Sequence, residues 1–352
     1  MEKEGKTRSA TYIQTDADKA YSSINKAFGD KLELMDIRDA LQKYPWLKDY
    51  FWKIVAKDKD EYTKRAIDSE GGYFIRIFKG QKIDIPIQSC LMITKEGFAQ
   101  KVHNIIIAEE GSQANIITGC IQGQHVNLAE HIGISEFFIK KGATLNFTMI
   151  HNWRKETKVR PRSAAVIEDG ASFVSNYISL EPVKDIQMYP VSYCKGKSSV
   201  ARFTSLLYAL EDSKMDIGSK AVLSGEKSRA EVISRVIAKD DSEVYSRGML
   251  VGKDESSKGH LECSGLLLGK DAKIVAVPEL SAETYGSELS HEAAVGKIAD
   301  KELLYLMARG LSQEEATSAI IRGFLDTKIF GLPKHLEQYI NSLMAKVGDS
   351  GN

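Results

Sequence analysis

The stretches Glu109–Gly119 (EEGSQANIITG), Lys140–Ile150 (KKGATLNFTMI) and Glu168–Ile178 (EDGASFVSNYI) decide the fold. Each opens on a charged pair, turns at Gly111, Gly142 or Gly170, passes one small residue and runs into an apolar segment. Weaker copies start at Gly196 (GKSSVARFTSL), Gly225 (GEKSRAEVISRVI), Lys239 (KDDSEVYSRGML) and Gly269 (GKDAKIVAVPEL). The turn positions 111, 142, 170, 196 and 225 lie 31, 28, 26 and 29 residues apart. Asp241 and Asp271 are 30 apart, about half a step out of phase with that series. A regular period of 20–50 residues marks a solenoid. Strand-like segments, not helix pairs, fill each repeat. The reading is a mainly β protein with a parallel β-helix core, each coil burying its inward side chains against the next. An antiparallel sandwich, turning every 8–12 residues, fits the near-30 interval less well.

Working outward, residues 1–70 read as an N-terminal helical region. Leu32, Leu34, Ile37, Leu41, Trp46, Leu47, Phe51 and Ile54 recur at roughly helical spacing, and Pro45 divides the run into two helices. Residues 71–295 form the solenoid, and 296–352 a C-terminal helical domain. There, Ala299–Gly310 reads as one helix. Ser312 and Glu315 make a capping-box pattern for a second. Pro333 opens a third, carrying Leu336, Tyr339, Ile340 and Leu343 and ending at Gly348. An uncapped solenoid leaves unpaired strand edges, so helices or a second subunit must cover its ends.

Composition narrows the function. Of 352 residues 43% are apolar, enough for a large core, and Lys+Arg and Asp+Glu both total 48. This balance argues against a nucleic-acid binder. The polar start lacks a signal-peptide core, and no run approaches the roughly 18 apolar residues of a membrane span. A cytoplasmic protein is expected, in which Cys90, Cys120, Cys194 and Cys263 are thiols rather than a disulfide framework. No P-loop, CxxC pair, GxSxG elbow or HExxH helix occurs.

In a solenoid, residues one period apart become neighbours on adjacent strands. Cys120 is followed 31 residues later by His151, and Cys263 is followed 28 residues later by His291, with Glu292 beside it. Cys90 precedes Cys120 by 30 residues, which suggests a stacked Cys–Cys–His ladder. Thiolate, imidazole and carboxylate are the donors that iron and sulfur chemistry uses. The plainer alternative is that Cys263, between Leu261 and Leu267, is a core thiol, since free Cys is among the most buried residues. His103 and His131 read as core or surface histidines, Glu136 as a solvated side chain and Cys194 as a structural thiol.

Asn104–Gly123, His131–Trp153, Leu261–Leu280 and Leu289–Leu325 together resemble the SufB/SufD family of the SUF iron–sulfur cluster assembly system. The resemblance rests on Cys120 after Gly119, Asn152–Trp153, the CSGLLLG run from Cys263 and His291–Glu292–Ala293, in that order. It implies a parallel β-helix flanked by helices that is not itself an enzyme. It also implies a scaffold that accepts sulfur and iron at a β-helix dimer interface and passes a transient iron–sulfur cluster to acceptor proteins. ATP hydrolysis would belong to a separate SufC-type ATPase docked on the C-terminal helices, for which Leu304, Leu311, Ile320 and Phe324 are the candidates. By the same resemblance Cys263 would hold nascent sulfur or cluster, with His291 and Glu292 as iron-binding neighbours. Cys120, His151 and Trp153 would belong to a sulfur path through the solenoid. The His-Glu pattern looks SufB-like. SufB-type proteins often carry Gln where His151 stands, and their amino-terminal cysteine motif is not visible here, so a homodimer is expected. The alternatives are a SufD-like structural subunit, working in a heterodimer without its own cluster, and, remotely, a β-helix carbohydrate-active enzyme.

Overall fold

The charged turn followed by a small residue builds the corners of a parallel β-helix. The structure is a computed structural model and describes residues 8–69, 71–325 and 337–338. Gly111, Gly142 and Gly170 adopt φ of 66°, 66° and 62°, the left-handed region where glycine carries no Cβ penalty. In the later coils Ser198 and Lys227 hold the same position at φ 55° and 57°. The equivalent of Gly170 is therefore Ser198, not Gly196, and the uneven step of 26 becomes one of 28. Each turn donates to the next: Gly111 N–H to Lys141 O at 2.9 Å, Gly142 N–H to Asp169 O and Gly170 N–H to Lys197 O, both at 2.8 Å. Beneath them Ser112, Ala143, Ala171, Ser199 and Ser228 form a buried column of small side chains.

Two sheets wrap the core. In the first, parallel register runs Gln113–Thr144–Ser172–Val200–Arg229–Lys258–Glu288. In the second it runs Asp185–Lys214–Glu243–Lys273. Inward positions alternate along each strand, so Ala114, Ile116 and Cys120 face Leu145, Phe147 and His151 of the next coil. Aromatic stacking continues the column: Phe137, Phe147, Phe173 and Phe203 meet at centroid distances of 4.8–6.5 Å.

The N-terminal region departs from the helical expectation. Residues Ala10–Thr15 form a strand parallel to 87–92, and Asp18–Ile24 pairs antiparallel with it. Leu32–Asp36 pairs antiparallel with Tyr73–Ile77. Leu32 and Leu34 follow the period of two, with buried and half-buried residues alternating, and the helical period begins only at Ile37. Asp36 caps helix α1 (Ile37–Lys43) by accepting from Arg38 N–H, and α2 (Glu61–Arg65) starts at a capping box of Asp60 and Thr63. The antiparallel strands close the first end of the solenoid.

Over the outer face of the second sheet, Leu41, Tyr50, Phe51 and Ile54 pack on Phe74, Ile105 and Phe138. Glu136 pins this segment. The carboxylate is fully buried, not solvated, and accepts from the backbone N–H groups of Trp52, Ile54 and Val55 at 2.6–3.0 Å. His103 Nε2 lies 2.8 Å from it. A buried carboxylate is tolerable only with such saturation.

At the opposite end, α3 (Asp300–Met307) and α4 (Gln313–Phe324) follow the solenoid. Helix α4 starts at the expected Ser312–Glu315 capping box and lays Ile321 on the outer face of the first sheet, against Ile178, Leu206 and Ile237. The helix read from Pro333 lies outside the described residues. Among the described residues the last strands, Lys273–Ala282 and Glu288–Lys297, each pair with a single earlier strand; the first is mostly half-buried and the second mostly exposed. Among the described residues no helix is long and apolar enough to cross a membrane.

Gly196 and Gly225 stack too closely to leave room for a side chain. A Cβ on Gly225 would lie 2.0 Å from Gly196 O, whereas one on Gly119 would meet nothing within 4 Å. Gly225→Ala is expected to lose about 1–3 kcal/mol in urea unfolding. Gly119→Ala is expected to be neutral or slightly stabilising.

Candidate functional site

The inner face carries a polar and aromatic cluster around Cys120. Register sets Cys120 directly opposite His151, as the 31-residue spacing suggested. Both are buried, as is Trp153, whose ring lies 5.5 Å from His151. The Tyr177 hydroxyl is 2.7 Å from His151 Nδ1. His131, which the sequence left as an ordinary histidine, joins the group at 5.2 Å from Trp153 and 6.3 Å from His151. Its Nδ1 is 2.9 Å from Gln100 Oε1. The Gln100 amide donates to Asp16 O and Met92 O, so its oxygen faces His131 and Nδ1 carries the proton.

Burial dominates the electrostatics. It pushes the Cys120 thiol far up, with the Cys90 thiol adding to the effect. It lowers His131 to about 4 and drives His151 well below the usual imidazole range, the neighbouring His131 adding to it. The cluster at rest is therefore a neutral thiol among neutral rings. Two polar atoms inside it, His151 Nε2 and Trp153 Nε1, are buried without a hydrogen-bond partner among the described residues. Such orphans are rare enough to call for an explanation. They leave hydrogen-bonding capacity beside Cys120 unspent.

Cys90 does not extend this row. It pairs with Gly119, and Leu91 pairs with Cys120, so Cys90 points to the outer side of the strand. The expected Cys–Cys–His ladder is a Cys–His pair, because one residue of register reverses the face.

Cys263 lies on the same sheet near the open end. It is buried, with Ser246 Oγ 3.9 Å from its sulfur and 2.8 Å from Ser234 Oγ. Burial raises its thiol, the Ser246 contact works against this and Glu262 adds to it. Cys263 pairs with Ala293, while His291 pairs with Leu261 and Glu292 with Glu262. His291 thus shares the face of Cys263 two residues out of line, and Glu292 occupies the opposite face. His291 and Glu292 are exposed. Among the described residues no group of three or more His, Cys, Asp or Glu side chains is placed to hold a metal. Cys263, His291 and Glu292 are therefore not gathered into a ligand set within one chain.

One inward row, not singled out by the sequence reading, ends at Cys263 and passes Tyr177, the hydrogen-bond partner of His151. Inward positions in register run Met149, Tyr177, Ser205, Ser234 and Cys263. Tyr177 belongs to this row and also touches His151. Along this row lies a cavity of about 30 Å³ whose lining includes Met149, Ser175, Tyr177 and Ser205. Cys120 and Cys263 are five strands apart, roughly 24 Å at the ordinary strand spacing. The 28- and 29-residue steps from Tyr177 to Ser205 and Ser234 were the available signal.

Of the proposed docking residues, Leu304 is 63% exposed, with Tyr305 at 57% beside it. Leu311 is half-buried. Ile320 and Phe324 pack toward the solenoid with Ile321.

Comparison with known proteins converges on one family. The model of the SUF system FeS cluster assembly, SufBD core domain, matches residues 91–324. An iron–sulfur cluster assembly SufBD family protein of Archaeoglobus fulgidus is 52% identical over 95% of this chain and 89% of its own length. A homologue of that description from Methanothermobacter thermautotrophicus strain Winter is 48% identical over 96% and 82%. One from Staphylococcus saprophyticus is 27% identical over 97% and 75%.

The buried imidazoles make stability depend on pH. Between about pH 6.5 and 4 the unfolded chain binds a proton at His131 that the folded chain does not. Stability therefore rises with pH across that window and is lost as pH falls through it. Urea midpoints measured from pH 7.5 to 4.5 should fall steadily below 6.5, with a shallower fall in His131→Leu.

Proposed function

The chain belongs to the SufBD family of SUF-system iron–sulfur cluster assembly proteins, and from that premise we propose that it is a SufB-type scaffold. The observation that carries this reading is the pair of buried thiols on one inner face, joined by Tyr177, Ser205 and Ser234. In this reading Cys120 accepts sulfur. The unpartnered nitrogens of His151 and Trp153 supply hydrogen bonds to the added sulfur atom, and hydrogen bonding to the charged form lowers a pKa. The thiolate is the nucleophile, so acceptance requires the interior to open or hydrate around a thiol that is protonated at rest. A motion driven by a partner ATPase would supply that opening.

Cys263 is proposed to hold sulfur or a nascent cluster at the open end, with His291 as an iron ligand from the same face. Glu292, on the other face, is left out of this ligand set. One thiolate and one imidazole do not complete a cluster site, and a second copy supplies the remainder. The edges of Lys273–Ala282 and Glu288–Lys297, unpaired among the described residues, favour strand-to-strand association of two copies. Leu280 and Val295, each about two-fifths exposed, would be covered by it. An incomplete, shared ligand set suits a protein that gives its cluster away. For a SufC-type ATPase, the accessible surface is the Leu304–Tyr305 side of α3 with Leu311, since Ile320 and Phe324 are engaged by the solenoid.

Anaerobic reconstitution with iron and sulfide tests the scaffold role. The unmutated protein should develop a visible cluster chromophore, Cys263→Ala should not, and Cys120→Ala should, because free sulfide bypasses the accepting thiol. Absence of a chromophore in the unmutated protein, with and without its ATPase, would favour a SufD-like structural subunit. Light scattering should give a dimer for the parent and a monomer for Val295→Asp.

A further inference from the structure

A groove on the outer face of the second sheet carries two lysines, Lys59 and Lys220, that make no salt bridge among the described residues. Its floor is Val191, Val222, Met249 and Val251, and Ile54 and Val55 form one wall. It has a volume of about 430 Å³ and adjoins a second groove of about 460 Å³. Lys59, Lys220 and Met249 line both. These volumes lie in the range of small-molecule sites.

Several solenoid lysines are matched across coils: Lys140 with Glu168, Lys197 with Glu226, Lys258 with Glu288 and Lys273 with Glu243. Lys59 and Lys220 have no carboxylate partner among the described residues. The acids nearby are mostly taken. Asp60 is bound to Arg162 at 2.5 Å, Asp216 to Arg247 at 2.5 Å and Glu283 to Lys253 at 3.3 Å. Glu279 is exposed and lines the second groove beside Arg247, two strands from Lys220 through Met249. Lys59 is exposed as a whole residue, yet its ammonium is held below the usual lysine range, by desolvation against the groove first and then by the charges of Arg162 and Lys220, with Asp60 opposing. Like charges held together beside an apolar floor are stabilised by an anion that brings its own apolar body.

We propose that this groove binds an organic phosphate, its phosphate between Lys59 and Lys220 and its body on the Val222 and Val251 floor. The site lies on the outer face of the sheet, whereas the thiol row lies on the inner face of the other sheet, and the proposal does not depend on the scaffold reading. The test is calorimetric titration of the full-length protein at low salt with ADP as the probe and pyrophosphate in a parallel arm. ADP should bind saturably and more tightly than pyrophosphate. Lys59→Gln and Lys220→Gln should each weaken it about tenfold or more, while Lys197→Gln, at a distant matched pair, should not. Thermal melts of the variants confirm that each is folded. The proposal is overturned if ADP shows no saturable binding, if both groove variants bind like the parent, or if pyrophosphate binds as tightly as ADP.

Discussion

The hydrogen bond from one turn to the next, Gly111 N–H to Lys141 O and its successors at Gly142, Gly170 and Ser198, sets the register on which the rest of the molecule depends. Each turn fixes where the following strand begins. Because side chains alternate with a period of two, a slip of one residue would send an entire inner row outward. The left-handed turn residue and the small buried residue after it are therefore what place Cys120 opposite His151 and Ser234 opposite Cys263. Helices and the N-terminal segment then cover outer faces whose positions are already decided.

The two ends of the stack differ in kind. Antiparallel strands close the first end. At the other, two parallel strands have one edge unpaired among the described residues, and their side chains are half-buried or exposed. The polar residues of the interior follow the same direction. Gln100, His131, His151 and Trp153 gather toward the closed end, and Tyr177, Ser205 and Ser234 continue toward the open one. Polar groups in a β-helix core displace apolar packing and must find partners. Tyr177, Ser205 and Ser234 are the part of this polar interior that lies between Cys120 and Cys263.

Much of this was legible as arithmetic on the sequence, and the misplaced cysteine partners share one cause. The period varies between 28 and 31, so spacing alone places a partner only to within a residue or two. For Cys120 and His151 the local step is 31 and the spacing matched it. For Cys263 the local step is 30, so His291, at 28, falls two positions away on the same face and Glu292, at 29, on the opposite face. Cys90 misses Cys120 by one residue and so faces outward. The N-terminal strands were hidden because Leu32 and Leu34, which alternate with a period of two, run straight into the helical spacing of Leu34, Ile37 and Leu41, and only pairing with Tyr73–Ile77 separates the two. The burial of Glu136 had no local signal, since its partners are backbone N–H groups about 80 residues away.

The central claim is that the inner row joins Cys120 to Cys263. It is tested most directly by loading the protein anaerobically from a persulfide donor and reading sulfane sulfur on each cysteine by mass spectrometry of alkylated peptides. The comparison adds Cys120→Ala and Ser205→Trp, which fills the cavity between the thiols. The account predicts sulfur on both thiols in the parent, sulfur on Cys120 alone in Ser205→Trp, and none on Cys263 in Cys120→Ala. Full loading of Cys263 in both variants would contradict it.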